Sequence, residues 1–229
     1  MIKYLPILLM LAFGLLAYFF SAWRTIKELN ERSTLLVDPE LRRLTDVLAK
    51  AVGVERITVY LYEIAPLNGL AAPDGRIFLT RGFYQKFRDG TVTAPELISV
   101  VAHELGHVAL GHTRRRMIDF TGQNAVRFVL AGMLNRFLPG IGPMIAGWLT
   151  TMLMAGLSRK NEYEADAYAA ALLTKAGIGI GPQISLFRKL VTHAGAPTAP
   201  AWLLSHPKTD DRIRALEGLQ AKWSRDIPA

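Results

Sequence analysis

The chain reads as an α+β, mostly helical protein in which one domain with a small antiparallel sheet is preceded by a single transmembrane helix. Three observations predict this. An uncharged apolar segment opens the chain, two short β-branched and aromatic segments flank the turn Pro73-Asp74-Gly75, and most of the remainder carries helical periodicity with recognisable start and stop residues.

Bulk composition narrows the field. A chain of 229 residues can bury one good core together with a membrane segment, so two independent soluble domains are not expected. Hydrophobic residues make up 51%, and the excess is concentrated at the N-terminus and between about residues 126 and 158, which points to membrane contact. The net charge of +8 is spread along the chain without aromatic-basic interleaving, so no nucleic-acid partner is expected and attraction to anionic lipid explains it better. There is no cysteine, which excludes disulfides and thiolate ligands and leaves His, Asp and Glu to hold any metal.

Tyr4 to Trp23 is a run of 20 uncharged residues between Lys3 and Arg24, enough as a helix to span the hydrocarbon of a bilayer once. Tyr4, Tyr18 and Trp23 suit headgroup-level anchors, and "FFSAW" lacks the small-x-small pattern of a cleavage site, so residues 1–24 are read as a retained anchor. Arg24, Lys27 and Arg32 follow the segment, so for a single-pass bacterial inner-membrane protein the positive-inside rule leans the following domain towards the cytoplasmic face, with the periplasmic face as the alternative. Residues 25–54 then carry a helical pattern (Leu36, Leu41, Leu44, Leu48) stopped by Gly53, a linker helix. The domain proper is 55–229. "RITVYLY" at 56–62 and "RIFLT" at 76–80 are strands, and "TAPE" at 93–96 is a capping box opening a helix that runs to about residue 118. A later helix covers about 156–176, stopped by Gly177, and a last one follows Thr209.

Three of the five histidines fall in "HELGHVALGH", residues 103–112. On a helix His103 and His107 share one face and can reach one ion, with Glu104 beside them where it can take a proton from water. This HExxH spacing is a zinc-hydrolase signature. A catalytic zinc needs a third protein ligand. His112, five residues after His107, points off that face, and Thr113 stands where the longer histidine pattern of the metzincins would need a third histidine. Glu162 in "NEYEAD" is the better candidate, with Glu164 as its rival; Asp166, one turn beyond Glu162, can accept the free N–H of a ligating imidazole and fix its tautomer.

"HELGH", "NEYEAD" and "SHPKTDDRI" occur in the order seen in the zinc metallopeptidases related to HtpX and the CAAX prenyl proteases, and the chain resembles that family over most of residues 55–218. The resemblance implies a zincin-like domain binding one Zn2+, with Glu162 as third ligand and Asp166 as its partner. It further implies that His206 and Arg212 stand near the scissile carbonyl, where donors stabilise the tetrahedral oxyanion. It places Asn68 before an edge strand along which an extended peptide adds by main-chain bonds. His193 has no such context and is read as a loop residue.

A second uncharged run, Phe137 to Ser158, has 22 residues. His103 and His107 precede it and Glu162 follows it, so the chain must return to the same side for all three to meet. Pro139, Gly140, Gly142 and Pro143 interrupt it. The expectation is a packed or interface-lying helical hairpin over 125–157, inserted between ligands, with Arg114, Arg115 and Arg116 beside it.

The function so implied is a membrane-anchored zinc endopeptidase with protein or peptide substrates and a Glu104 general base, acting in quality control of misfolded or membrane-associated proteins; the oligomeric state is left open. The alternative is a latent or non-proteolytic zinc-stabilised, chaperone-like module at the membrane, against which Glu104 argues, because a structural zinc has no use for a base.

Overall fold

In the computed structural model, which describes residues 5–112, 127, 129–192 and 209–226, a buried helix carrying the histidine pair lies between a four-stranded sheet and a layer of three helices. The chain opens with α1 (Leu5–Glu31), a single 27-residue helix. Its end is fastened to the sheet: Leu29 is buried with Tyr62, Ala72 and Phe78, and the Tyr62 hydroxyl donates to Glu28 Oε1 at 2.6 Å. Among the described residues no helix is long and apolar enough to cross a membrane. Phe13, Leu15, Leu16, Phe19, Phe20 and Trp23 of α1 are nevertheless exposed.

The expected linker helix over 25–54 is not one element. After α1 the chain enters β1 (Ser33–Leu35), then α2 (Pro39–Val52). The break follows from Asp38-Pro39: Asp38 Oδ1 accepts from the backbone N–H groups of Glu40 and Leu41 at 3.1 and 3.2 Å, and a proline in the first helical turn has no N–H to waste. Helical periodicity across 24–52 hid a cap in its middle.

The sheet is mixed, which corrects the antiparallel expectation. Its order is β1, β2 (Val59–Tyr62), β4 (Ile77–Thr80) and β3 (Gly69–Ala71). β1 with β2, and β3 with β4, pair antiparallel, but β2 and β4 run parallel, Val59 beside Ile77 and Tyr62 beside Thr80. The reason is local. The Pro73-Asp74-Gly75 turn closes a tight hairpin between β3 and β4, with Ala72 N–H donating to Arg76 O at 2.8 Å, so β4 can meet β2 only in the same direction. β3 is left as the outer strand.

After α3 (Arg81–Arg88), α4 (Ala94–Ala109) opens on the expected capping box: the Thr93 N–H donates to Glu96 Oε2 at 2.8 Å and the Glu96 N–H to Thr93 Oγ1 at 3.4 Å. Leu97, Ile98, Val100, Val101 and Ala102 are buried, so α4 is the central element of the core. It ends at Ala109, not near 118, because Gly111 turns the chain at φ 68°.

Residues 129–137 are helical (α5), a turn follows at 138–141, and α6 (Gly142–Lys175) returns. Pro143 was expected to fragment this run. It sits instead in the first turn of α6, where proline is tolerated, and the second arm is one 34-residue helix continuous with "NEYEAD". α7 (Gly181–Thr192) and α8 (Thr209–Asp226) complete the layer. Arg114, Arg115, Arg116, His193 and His206 lie outside the described residues.

The Thr93 cap secures the first turn of the helix that carries the histidines. Thr93→Ala is expected to lower unfolding stability by about 1 kcal/mol, read in a urea titration, with no change in m-value.

Candidate metal centre

His103 and His107 project from one face of α4, both buried, with ring centroids 4.7 Å apart and planes at 83°. Glu162, also buried, comes from α6. What lets it arrive is the glycine between the histidines. A β-carbon on Gly106 would stand 3.0 Å from the Ala165 carbonyl oxygen and 3.1 Å from Ala165 Cα, so the two helices touch backbone to backbone there. His103 Nε2 and His107 Nε2 lie 3.1 Å apart, and Glu162 presents one oxygen 3.4 Å from the first and the other 3.5 Å from the second. A tetrahedron with zinc-to-ligand bonds of about 2.0–2.1 Å has edges of about 3.3–3.4 Å. The two nitrogens and the nearer carboxylate oxygen of each pair lie close to that length, and these residues form a candidate metal site.

Each imidazole is held from behind. His103 Nδ1 lies 2.9 Å from Asp166 Oδ1, as the sequence suggested. Asp166 is fixed in turn by Arg212, whose Nε and Nη2 donate to its two oxygens at 2.6 and 2.7 Å, and by Gln183 Nε2 at 3.3 Å. Arg212 was expected near the scissile carbonyl. It is 1% exposed, with Nη1 3.5 Å from Glu162 Oε2 and its guanidinium 4.7 Å from the centre of the Phe187 ring. A buried guanidinium needs carboxylates close by, and it finds them behind the ligands. Gln183 carries no motif and was invisible in the sequence.

His112, set aside as pointing off the ligand face, lies outside the His103, His107 and Glu162 group, but not where a continuous helix would put it. With α4 ended at Ala109, the Gly111 turn brings it back, fully buried, with Nδ1 3.0 Å from His107 Nδ1 and Nε2 3.1 Å from Glu164 Oε2. Glu164, the rival ligand, therefore faces His112, while Glu162 faces both imidazole Nε2 atoms. The signal for this lay in Gly111, a helix stop read past.

Glu104 is buried beside the pair, against the outer strand. A β-carbon on Gly69 would come 2.5 Å from Val100 Cγ1 and 3.5 Å from Glu104 Oε1, so β3 runs close over the carboxylate. Asn68, just before it, is fixed through its backbone: its N–H donates to Thr80 Oγ1, and its carbonyl accepts from the Thr80 hydroxyl and N–H, all at 3.0 Å.

The charge balance suits a cation. Burial alone would push the His103 imidazole down, but the Asp166 and Glu162 carboxylates outweigh it and raise it to about 9. Burial likewise pushes Asp166 up, and Arg212 with His103 holds it below the usual range. The site thus draws positive charge into a dry interior, and a nitrogen, nitrogen, carboxylate donor set with no thiolate fits zinc.

The fold and this site define a metallopeptidase-like domain, and the comparisons with known proteins agree. The model of Peptidase family M48 matches residues 36–220, and the chain belongs to that family. It is 30% identical to the metalloprotease LoiP of Escherichia coli over 66% of this chain and 58% of LoiP. It is 28% identical to the mitochondrial metalloendopeptidase OMA1 of Danio rerio over 71% of this chain and 35% of OMA1. It is 24% identical to protease HtpX of Pseudomonas paraeruginosa, over 89% and 81% of the two chains. The chain thus spans about a third to three-fifths of the first two relatives.

Gly106 sets the distance between the ligand-bearing helices. Gly106→Val is expected to part α4 from α6 and weaken Zn2+ binding by at least about tenfold, measured by chelator competition, with the capping box and sheet intact by circular dichroism.

Proposed function

We propose that this protein is a membrane-anchored zinc endopeptidase that hydrolyses peptide bonds in misfolded or membrane-associated proteins. The observation that carries the reading is the convergence of His103, His107 and Glu162 on one point with Glu104 buried beside them under an outer strand. His103 and His107 would offer Nε2 and Glu162 a carboxylate oxygen. A zinc ion held there supplies Lewis acidity, which lowers the pKa of water towards 7 and polarises the carbonyl.

The chain's own groups account for the rest. An extended substrate adds to β3 by main-chain hydrogen bonds, a mode tolerant of sequence, with Asn68 at the start of the strand. Glu104 takes a proton from the attacking water as its oxygen bonds to the carbonyl carbon. The same carboxyl then delivers that proton to the amine nitrogen as the C–N bond breaks. Asp166 keeps the proton of His103 on Nδ1, so that Nε2 retains its lone pair, and Arg212 holds Asp166 and leans on Glu162. His206 is assigned as an oxyanion donor on the family resemblance.

Anchoring is assigned to residues 1–24, on the uncharged run Tyr4–Trp23 and the exposed aromatic and leucine side chains of α1. The α5–α6 hairpin adds a second apolar surface, with Met133, Phe137, Ile141, Met144, Trp148 and Met152 exposed. Arg136 and Arg159 bracket the uncharged run, which suits contact with anionic lipid.

Elemental analysis with casein hydrolysis tests the chemistry. Wild type and Glu104→Gln should hold close to one zinc per chain and Glu162→Ala should lose it; wild type should cleave casein, and Glu104→Gln should do so more slowly by about 10²- to 10⁴-fold. Zinc retained in all three without cleavage would remove Glu162 as a ligand and favour the non-proteolytic module. For the anchor, deletion of residues 1–24 should move the protein from the membrane to the soluble fraction; persistent sedimentation with vesicles would transfer that role to the hairpin.

A further inference from the structure

Only one of the two ligand imidazoles has its support in the sequence motifs. Asp166 stands behind His103, and no motif residue was assigned to His107. We infer that His112 and Glu164 form the corresponding support for His107, a two-residue relay that fixes its tautomer and aims its Nε2 at the ion. This rests on the metal reading above.

Proton placement follows from geometry. A ring that gives Nε2 to a metal carries its hydrogen on Nδ1. His107 Nδ1–H must then donate across the 3.0 Å gap to His112 Nδ1, which can accept only if His112 carries its own hydrogen on Nε2. That hydrogen points at Glu164 Oε2, 3.1 Å away. The chain of donors therefore ends on a carboxylate, as it does behind His103, with one imidazole interposed. The two supports differ in setting. Asp166 is buried and bound by Arg212, whereas the Glu164 side chain is 38% exposed and pairs with Lys160 at 3.6 Å, so the relay joins a buried ligand to the surface. His112, fully buried with a titratable ring, has no other use in the mechanism described. It acts through His107 and is a positioning residue.

The test is Zn2+ affinity by chelator competition, together with the visible absorption of the Co2+-substituted protein, on the full chain. His112→Leu fills similar space without an acceptor and should weaken Zn2+ binding by about 10- to 100-fold and alter the Co2+ bands. His112→Asn is smaller, yet its side-chain oxygen can stand where Nδ1 stands, so it should recover most of the lost affinity. Glu164→Gln, at the surface, should give an intermediate loss without a change in Tm; it decides the matter if His112→Leu does not fold. Wild-type affinity and Co2+ spectrum in Glu164→Gln and His112→Leu would overturn the inference, and so would Leu outperforming Asn, which would make His112 a space filler. Wild type that binds no Zn2+ would sink the metal reading, and this one with it; wild type that binds while the variants bind equally well would sink this one alone.

Discussion

The site depends on how closely two helices approach. His103 and His107 are brought together by the helical period alone, but a third ligand must come from elsewhere in the chain, and an ordinary interaxial distance of 8–10 Å leaves room for side chains between the axes. Here the side chain is missing where it matters. Gly106 sits between the histidines and meets the backbone of Ala165, which lies between Glu162 and Asp166 in the chain. The same contact therefore sets where the carboxylate ligand stands and where the carboxylate behind His103 stands. The outer strand, capping box and core all serve to hold α4 in that register.

Such proximity collects charge in a place where charge is costly. Glu104, Glu162 and Asp166 are all buried, and the buried cation facing them is Arg212. Buried charge needs partners close by, and the proton affinity of His103, raised by the Asp166 and Glu162 carboxylates, is one response to that demand. Arg212 answers the remaining demand from behind. The guanidinium holds Asp166 through two donors and lies against the Phe187 ring.

How much of this the sequence revealed divides along physical lines. Features written in one helical turn were legible: the His103 and His107 pair, the Thr93 and Glu96 box, the Glu162 and Asp166 spacing. The outer position of β3 was legible only through resemblance, because three residues carry no periodicity. Features set by where an element stops were misread. Asp38-Pro39 was overlooked inside a periodic stretch, which merged two helices and hid β1. Gly111 was passed over at the end of α4, and with it the return of His112 beneath His107. Pro143 was taken as a breaker when it opens a helix. The parallel pairing of β2 with β4 is a consequence of which strands the turn at Gly75 joins, and both candidate strands looked alike in isolation.

The length of α6 ties the chemistry to the apolar surface. Its first turns expose Met144, Trp148 and Met152, and its later turns carry Glu162, Glu164 and Asp166. At 1.5 Å per residue the ten residues from Met152 to Glu162 span about 15 Å of one unbroken helix. No loop intervenes to absorb a displacement of the apolar end. The histidine ligands, by contrast, sit on α4, which is fixed by the core. At the contact between Gly106 and Ala165 a few tenths of an ångström separate close packing from overlap. The candidate carboxylate ligand, Glu162, is thus carried by the helix whose first turns expose apolar side chains.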